Sequence, residues 1–304
     1  MKRLTAAIVS IFSLIPLGQP LVVGTGSVLT SAVAMISVPT KAHAERVESY
    51  LNSGSDKSDK GDYLGAIADY NKGIEIDPKD ASLYYNRGIA KFKLKNYQSA
   101  IDDYTKAIEF NPRWSPLAYD ARGNVKEELK DYSGAIADHS KAIELYPRNL
   151  EAYYHRGNVK AKSKDYSGAI VDYTEALAIS PNSKDSDIIY GNRGLSKQYL
   201  KDYQGAIADF TKAIEVNPSF EIGYYNRANT KLKLKDYSGA ISDYTKSIEI
   251  NPSYIDPYVN RAVAKNKIGD IEGACLDVKA AESFGFNNSK TIKFFCQKNT
   301  EIKK

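Results

Sequence analysis

Residues that carry chemistry are scarce in this chain. Its 304 residues include two cysteines, two methionines, one tryptophan and three histidines. His43, His139 and His155 are far apart in sequence, and no Cys/His group has metal-ligand spacing, so no metal is expected. Neither a Ser nucleophile elbow nor a phosphate-binding Gly loop occurs. Asp56-Lys57-Ser58-Asp59-Lys60-Gly61-Asp62 has the acids of a calcium loop but lacks the terminal Glu at the right distance. These absences point away from an enzyme and from any cofactor. An excess of one charge is lacking too. The net charge is +5, and the first 44 residues carry Lys2, Arg3 and Lys41 with no acid, which leaves 39 bases against 37 acids. Such a balance offers no nucleic-acid stripe and no polybasic membrane patch.

Long apolar runs are confined to the N-terminus. Lys2-Arg3 precedes an apolar run from Leu4 to Leu17, a second follows from Leu21 to Val38, and Ala42-His43-Ala44 has the small-x-small form of a signal-peptidase site. Residues 1–44 therefore read as a bacterial-type export signal, with an uncleaved membrane anchor as the alternative. Pro16, Gly18, Pro20, Gly24 and Gly26 break both runs, so neither is a clean span of ~20 residues. No cysteine lies near the leader, which excludes lipid attachment there. The mature protein is expected outside the cytoplasmic membrane, in the periplasm or an equivalent lumen, or held at the membrane if the leader is kept.

Tyrosine is abundant, 23 residues against 9 phenylalanines, because it recurs in a repeat of about 34 residues. Numbering each repeat to end two residues after its proline aligns seven copies: 47–80, 81–114, 116–149, 150–183, 187–220, 221–254 and 255–286. Position 4 is always Tyr, position 20 always Ala, position 23 always Asp, and position 32 is Pro in six copies, from Pro78 to Pro252. Positions 8 and 27 are small, and positions 17 and 24 are mostly aromatic. Residues 4, 8 and 11 share one helix face, and 17, 20, 24 and 27 share another. Small residues there let two antiparallel helices approach, and the rings fill the space around them. Asp or Asn at position 16 (Asp62, Asn96, Asp131) is placed to cap the second helix, and Pro at 32 ends it. A unit this short cannot bury its own apolar face and must stack on a neighbour.

This set of columns resembles the tetratricopeptide repeat. The resemblance implies an all-α fold, a right-handed α-solenoid of helix-turn-helix units spanning residues 45–286. Residues 287–304 are expected to form a C-terminal capping helix and tail, with Ile292, Phe295 and Cys296 packed on the last repeat and polar residues outward. The first helix of repeat one contains Asn52 to Asp59, a stretch poor in helix formers, and is expected to fray.

The chain departs from the family at position 7, where Leu is usual. Arg87, Arg122, Arg156, Arg193, Arg227 and Arg261 stand there, and Ser53 takes the place in repeat one. Each Arg has two possible partners at position 23, in its own repeat or in the preceding one. Repeat one alone lacks both Arg and a predecessor, which favours pairing across repeats, Arg87 with Asp69. An Arg row open to an anionic ligand is the other reading.

In proteins of this family the ligand usually lies in the concave groove lined by the first helices. The resemblance makes candidate partner-binding residues of Asn86, Asn192, Asn226, Asn260 and His155 at position 6. Asn124, Asn158 and Asn229 at position 9, and Tyr85, Tyr154 and Tyr225 at position 5, join them. An amide ladder offers paired donors and acceptors to an extended peptide, and neighbouring rings add rigid contact area. Asn at position 6 also serves local hydrogen bonding in such repeats. The family's carboxylate clamp needs Lys at positions 2 and 5. Position 5 is never Lys and position 2 is Ser82, Leu117, Glu151, Ile188 or Ile222, so a chaperone-tail receptor is not expected. His139 takes an aromatic packing column. Cys275 and Cys296 are either a disulfide joining the cap to the last repeat, favoured in an exported chain, or two buried thiols. The expected function is a non-catalytic scaffold for a protein or peptide partner, in envelope or photosynthetic-membrane assembly. The alternatives are a membrane-anchored secretion-complex component and a regulator of an envelope enzyme.

Overall fold

A computed structural model describes residues 41–112, 115–183 and 185–302. Of the export signal expected over residues 1–44, residues 1–40 lie outside the described residues. Among those described, the ordered elements are all helices. They form seven hairpins: α1 Lys41–Asp59 with α2 Tyr63–Ile76, α3 Ala81–Lys93 with α4 Tyr97–Phe110, α5 Ser115–Glu128 with α6 Tyr132–Leu145, α7 Leu150–Lys162 with α8 Tyr166–Ile179, α9 Ser186–Tyr199 with α10 Tyr203–Val216, α11 Glu221–Lys233 with α12 Tyr237–Ile250, and α13 Ile255–Lys267 with α14 Ile271–Ser283. A final helix, α15 (Ser289–Ile302), packs on α14. None of the described helices is long and apolar enough to cross a membrane.

Each hairpin closes on the columns read from the sequence. The ring at position 24 lies against the small residue at position 8, so that a Cβ on Gly88 would stand 2.8 Å from the Tyr104 ring and one on Gly157 2.8 Å from Tyr173. Tyr70, Tyr104, Tyr173, Phe210 and Tyr244 are buried, and each such ring contributes about 1.5–3 kcal/mol by leaving water. The second helix then packs on the first helix of the next repeat. Ala169, Tyr173, Ala176, Leu177 and Ile189 form one such junction.

The turn within each hairpin is the same device seven times. The residue at position 15 is left-handed: Gly61, Lys95, Lys130, Lys164, Lys201, Lys235 and Gly269 all have positive φ. The next residue donates its N–H back to the carbonyl of position 11, as Asn96 does to Lys91 and Asp165 to Lys160, which ends the first helix in a Schellman-type bond. Its side chain then caps the second helix. Asp62, Asp131, Asp165, Asp202, Asp236 and Asp270 each accept from the N–H three residues on, which is always a glycine. Asn96 makes no such bond, contrary to the sequence reading, and three residues on it meets Ser99. A Cβ at the equivalent Gly168 would overlap the Asp165 carboxylate, so glycine there makes room for the cap.

Helix α1 is not frayed: it runs without interruption to Asp59. Val47 and Leu51 join the cluster of Ala66, Tyr70 and Leu83, and Gly54 lies against Tyr70, so packing outweighs the weak propensity of Asn52–Asp59. A cut after Ala44 would remove only the exposed first turn of this helix, ahead of Val47.

The Arg–Asp pairing across repeats is also corrected. Arg87 binds Asp103 of its own repeat, and the same pairing recurs in Arg122–Asp138, Arg156–Asp172, Arg193–Asp209, Arg227–Asp243 and Arg261–Asp277. Each is a two-pronged bond, with Nε–O distances of 2.9–3.0 Å and Nη2–O distances of 2.6–2.7 Å. A lysine at position 11 completes every Asp, as Lys91 does for Asp103 at 2.7 Å and Lys160 for Asp172 at 2.8 Å. The contact between repeats runs through Nη1 instead. It donates to position 25 of the preceding repeat: Asn71, Thr105, Ser140, Thr174, Thr211 and Thr245. Each guanidinium also lies over the position-4 tyrosine, 5.2–5.8 Å from the ring centre. In repeat one, Ser53 and Lys57 share Asp69. The row is thus engaged in holding the scaffold, which disposes of the anion-binding reading.

Candidate functional site

First helices touch the first helices of neighbouring repeats, from α1 with α3 through to α11 with α13, while second helices make no comparable contact with one another. The stack therefore closes on the first-helix side, and that side carries every candidate at positions 5, 6 and 9. All eleven are half-buried there.

The structure brings them into separate groups rather than one continuous ladder. Asn192 donates to Asn158 across the fourth junction at 3.1 Å, and Asn158 also accepts from the Tyr173 hydroxyl at 2.7 Å. Asn260 donates to Asn229 at 3.0 Å and to the Tyr225 hydroxyl at 3.3 Å, and Tyr244 donates to Asn229 at 2.6 Å. Asn86 is turned onto its own helix and donates to the Ser82 carbonyl. Tyr85 leans on Tyr104, and Tyr154 on both Tyr173 and His155. Asn124 and Asn226 share the face without joining either amide pair. Position 6 of one repeat thus reaches position 9 of the repeat before it wherever both are Asn. In the fifth and sixth repeats a different pair, Gln198 and Thr230, makes the link.

Between the fourth and fifth repeats this face opens into a cavity of about 400 Å³. Asn158 and Asn192 form its polar floor with Ser196, and Tyr166, Tyr173, Tyr199, Leu195, Ala161 and Lys162 line the rest. Tyr166 and Tyr199 are stacked, 4.5 Å between centres and 5° between planes, and Tyr199 is 65% exposed. The sequence reading missed Tyr166 and Tyr199. Tyr166 looked like packing at position 17. Tyr199 stands at position 13, where Lys93, Lys162, Lys233 and Lys267 stand in other repeats, and that substitution was the available signal.

A second grouping was missed, although His155 was named for the groove and His139 for packing. His139 is not only packing: its Nδ1 lies 2.8 Å from Asp120 Oδ1, and His155 Nδ1 lies 3.0 Å from Asp120 Oδ2. Burial raises the Asp120 carboxyl, but the hydrogen bonds and charges of the two imidazoles outweigh it and bring it down to about 2. Burial likewise opposes the charge on His155, and the bond to Asp120 overcomes that and raises its pKa. Asp120 stands at position 5, a tyrosine column in several repeats, which was the signal in the sequence.

At the far end, Cys275 and Cys296 form a disulfide with their Cα atoms 4.8 Å apart. Phe295 is buried against Ala262, Ala274 and Val278, with Ile292 beside it. Phe294, by contrast, points outward and is about half exposed.

These repeating pairs and caps agree with what comparison finds. A family profile described as TPR repeat matches residues 54–95, and one described as Tetratricopeptide repeat matches 81–113, 150–183, 188–220 and 222–254. No curated protein matches the chain by sequence. Among solved structures, the C-terminal part of a TPR repeat-containing protein from Cytophaga hutchinsonii is similar, with a TM-score of 0.68 and 21% identity over 80% of this chain and 98% of that one. A tetratricopeptide repeat protein from Parabacteroides merdae ATCC 43184 gives 0.58 and 23% over 83% and 98%. MamA from Desulfovibrio magneticus RS-1, residue 41 to its end, gives 0.52 and 21% over 58% and 97%. At these identities the likeness is one of fold. By its sequence matches and its stacked helical hairpins, the chain belongs to the tetratricopeptide repeat family.

Proposed function

We propose that the protein is an exported, non-catalytic scaffold that holds an extended segment of a protein partner along its first-helix face. The observation that carries this reading is the cavity between the fourth and fifth repeats. It offers stacked tyrosines and Leu195 as an apolar wall, and the Asn158–Asn192 pair as a polar floor. An apolar pocket with a few fixed polar groups suits one anchoring side chain of a peptide, with the flanking backbone laid over the half-buried amides. Export is supported by the Lys2-Arg3 start, the apolar leader, Ala42-His43-Ala44 and the cysteine pair. N-terminal sequencing of protein recovered outside the cytoplasm should begin at Glu45. An intact leader in the membrane fraction would replace export with anchorage.

The binding reading is tested by selecting displayed random peptides on the full chain. Enriched peptides should share an apolar or aromatic anchor, and Tyr199→Ala should weaken them about tenfold, since a stacked anchor contact is worth on the order of 1–2 kcal/mol. Selected peptides that bind Tyr199→Ala and Asn192→Ala as well as wild type would move the binding surface elsewhere.

A further inference from the structure

At the junction of the third and fourth repeats, three side chains depart from the repeat pattern together. Asp120 replaces the tyrosine that neighbouring repeats place at position 5, His139 replaces the ring at position 24, and His155 replaces the asparagine at position 6. They come from three different helices, α5, α6 and α7. The fold brings them to one point: the potential coordinating atoms of all three lie within 4.8 Å of one another. We propose that Asp120, His139 and His155 bind a borderline transition-metal ion, Zn²⁺ in the first place, on the first-helix face.

The donor set decides the class of ion. Two imidazole nitrogens and one carboxylate oxygen suit zinc, copper or nickel, whereas calcium and magnesium need mostly oxygen. The distances fit a small ion. A tetrahedral Zn²⁺ with bonds of about 2.0–2.1 Å keeps its ligands roughly 3.3 Å apart. From the one oxygen Asp120 Oδ1, the separations to His139 Nδ1 and His155 Nδ1 are 2.8 and 3.2 Å, already near that figure. The remaining His–His edge is no longer than 4.8 Å, and His155, whose side chain is 28% exposed while that of His139 is fully buried, is the ring with room to adjust.

Packing alone does not account for His139. Tyrosine or phenylalanine fills this column in five of the other repeats, and the tyrosine hydroxyls of Tyr173 and Tyr244 find Asn partners. The histidine instead leaves Nε2 buried without a hydrogen-bond partner. A buried unpaired nitrogen is a standing cost. Coordination at Nδ1 leaves Nε2 as the ring's buried N–H, so the bond to the ion has to outweigh that cost. On binding, the Nδ1 proton that each ring donates to the Asp120 carboxylate must leave. A neutral ring carries its single proton on Nε2 instead and gives the freed Nδ1 lone pair to the ion, while a charged ring releases its Nδ1 proton to solvent. Three protein ligands leave a fourth position for water or for a side chain of a bound partner. The proposal does not depend on peptide binding at the cavity.

The test uses the full chain made without a histidine tag, with the Cys275–Cys296 disulfide intact and metal removed by a chelator. Zn²⁺ is titrated calorimetrically, and Co²⁺ is followed by its visible absorption. Asp120→Tyr, His139→Tyr and His155→Asn each install the residue that other repeats carry, and circular dichroism checks that the helices remain. Wild type should bind one Zn²⁺ per chain. Each variant should bind roughly tenfold more weakly or worse, and His43→Ala, on the exposed first turn of α1, should bind as wild type. Should the buried His139→Tyr misfold, His155→Asn at its part-exposed position decides alone. Failure of wild type to saturate with Zn²⁺, or undiminished binding by His155→Asn, would overturn the proposal.

Discussion

At the scale of the residue, the most repeated interaction is the Arg–Asp–Lys triad. Asp172 is fully buried, and both of its cationic partners are more than four-fifths buried. Removing one member of a buried pair leaves uncompensated charge, so Asp172→Ala should lower stability by about 3 kcal/mol in denaturant unfolding. Arg156→Leu installs the usual family residue, and in the double mutant Arg156→Leu/Asp172→Ala the losses should fall short of additive by roughly 1–3 kcal/mol. Strictly additive losses would contradict the pairing. The columns at positions 7 and 23 were legible in the sequence, but their partnership was not. An offset of 16 residues within a hairpin and one near 18 between repeats look equally plausible on paper, and only the helix crossing decides. The Asp120–His155 pair gives a pH prediction. His155 is raised, so its stabilisation is full below about 6.5 and fades as pH rises through its folded value. Asp120 is lowered, so its contribution is present above about 3.9 and fades as pH falls towards 2. The stability gap between wild type and His155→Asn should therefore be widest between about pH 4 and 6.5. In chelator-treated, metal-free protein, imidazole NMR should place the His155 midpoint above 6.5, with Asp120→Asn lowering it. A midpoint unmoved by that substitution would remove the pair.

At the scale of the element, each hairpin turn trades strain for a sharp, repeated geometry. Five lysines adopt the left-handed conformation that glycine takes at positions 61 and 269. A non-glycine residue there costs about 1 kcal/mol, so Lys235→Gly should raise stability by a few tenths to 1 kcal/mol, less the added chain entropy of glycine. Asp165→Ala should cost about 1 kcal/mol through the lost cap. In repeat two, Ser99→Gly with Asn96→Asp should install the cap bond the other repeats have, and a melting point that does not rise would contradict the steric account. Helix existence was legible almost throughout, because small and aromatic columns recur at helical spacing. Two local readings failed for different reasons. Asn96 looked like a cap because its residue type is right, yet the neighbour three residues on controls whether a cap can close. The end of α1 looked weak because propensity was judged without Tyr70, which packs on Gly54 from the next helix.

At the scale of the whole molecule, a solenoid gains stability from neighbours, so its ends are its weakest parts. The disulfide fixes α15 over the last hairpin across 21 residues, worth ~3 kcal/mol in the chain-entropy model. Cys296→Ser should therefore speed hydrogen exchange in α14 and α15 while leaving the central repeats unchanged. Equal protection in both proteins would mean that Phe295 alone holds the cap. The family, the number of hairpins and the face bearing the candidates were all legible from the columns. The grouping of those candidates was not, because it depends on which asparagines meet across a junction and on Tyr199 taking a position that is Lys in four other repeats. The most direct test of the scaffold account is proximity labelling in native cells with three proteins: wild type, Asn192→Ala/Tyr199→Ala on the first-helix face, and Val171→Ser on an exposed second helix. Partners labelled by wild type and Val171→Ser but lost in the double variant are the predicted result. A partner list unchanged by the double variant and depleted by Val171→Ser would place the working surface on the second helices and contradict the account.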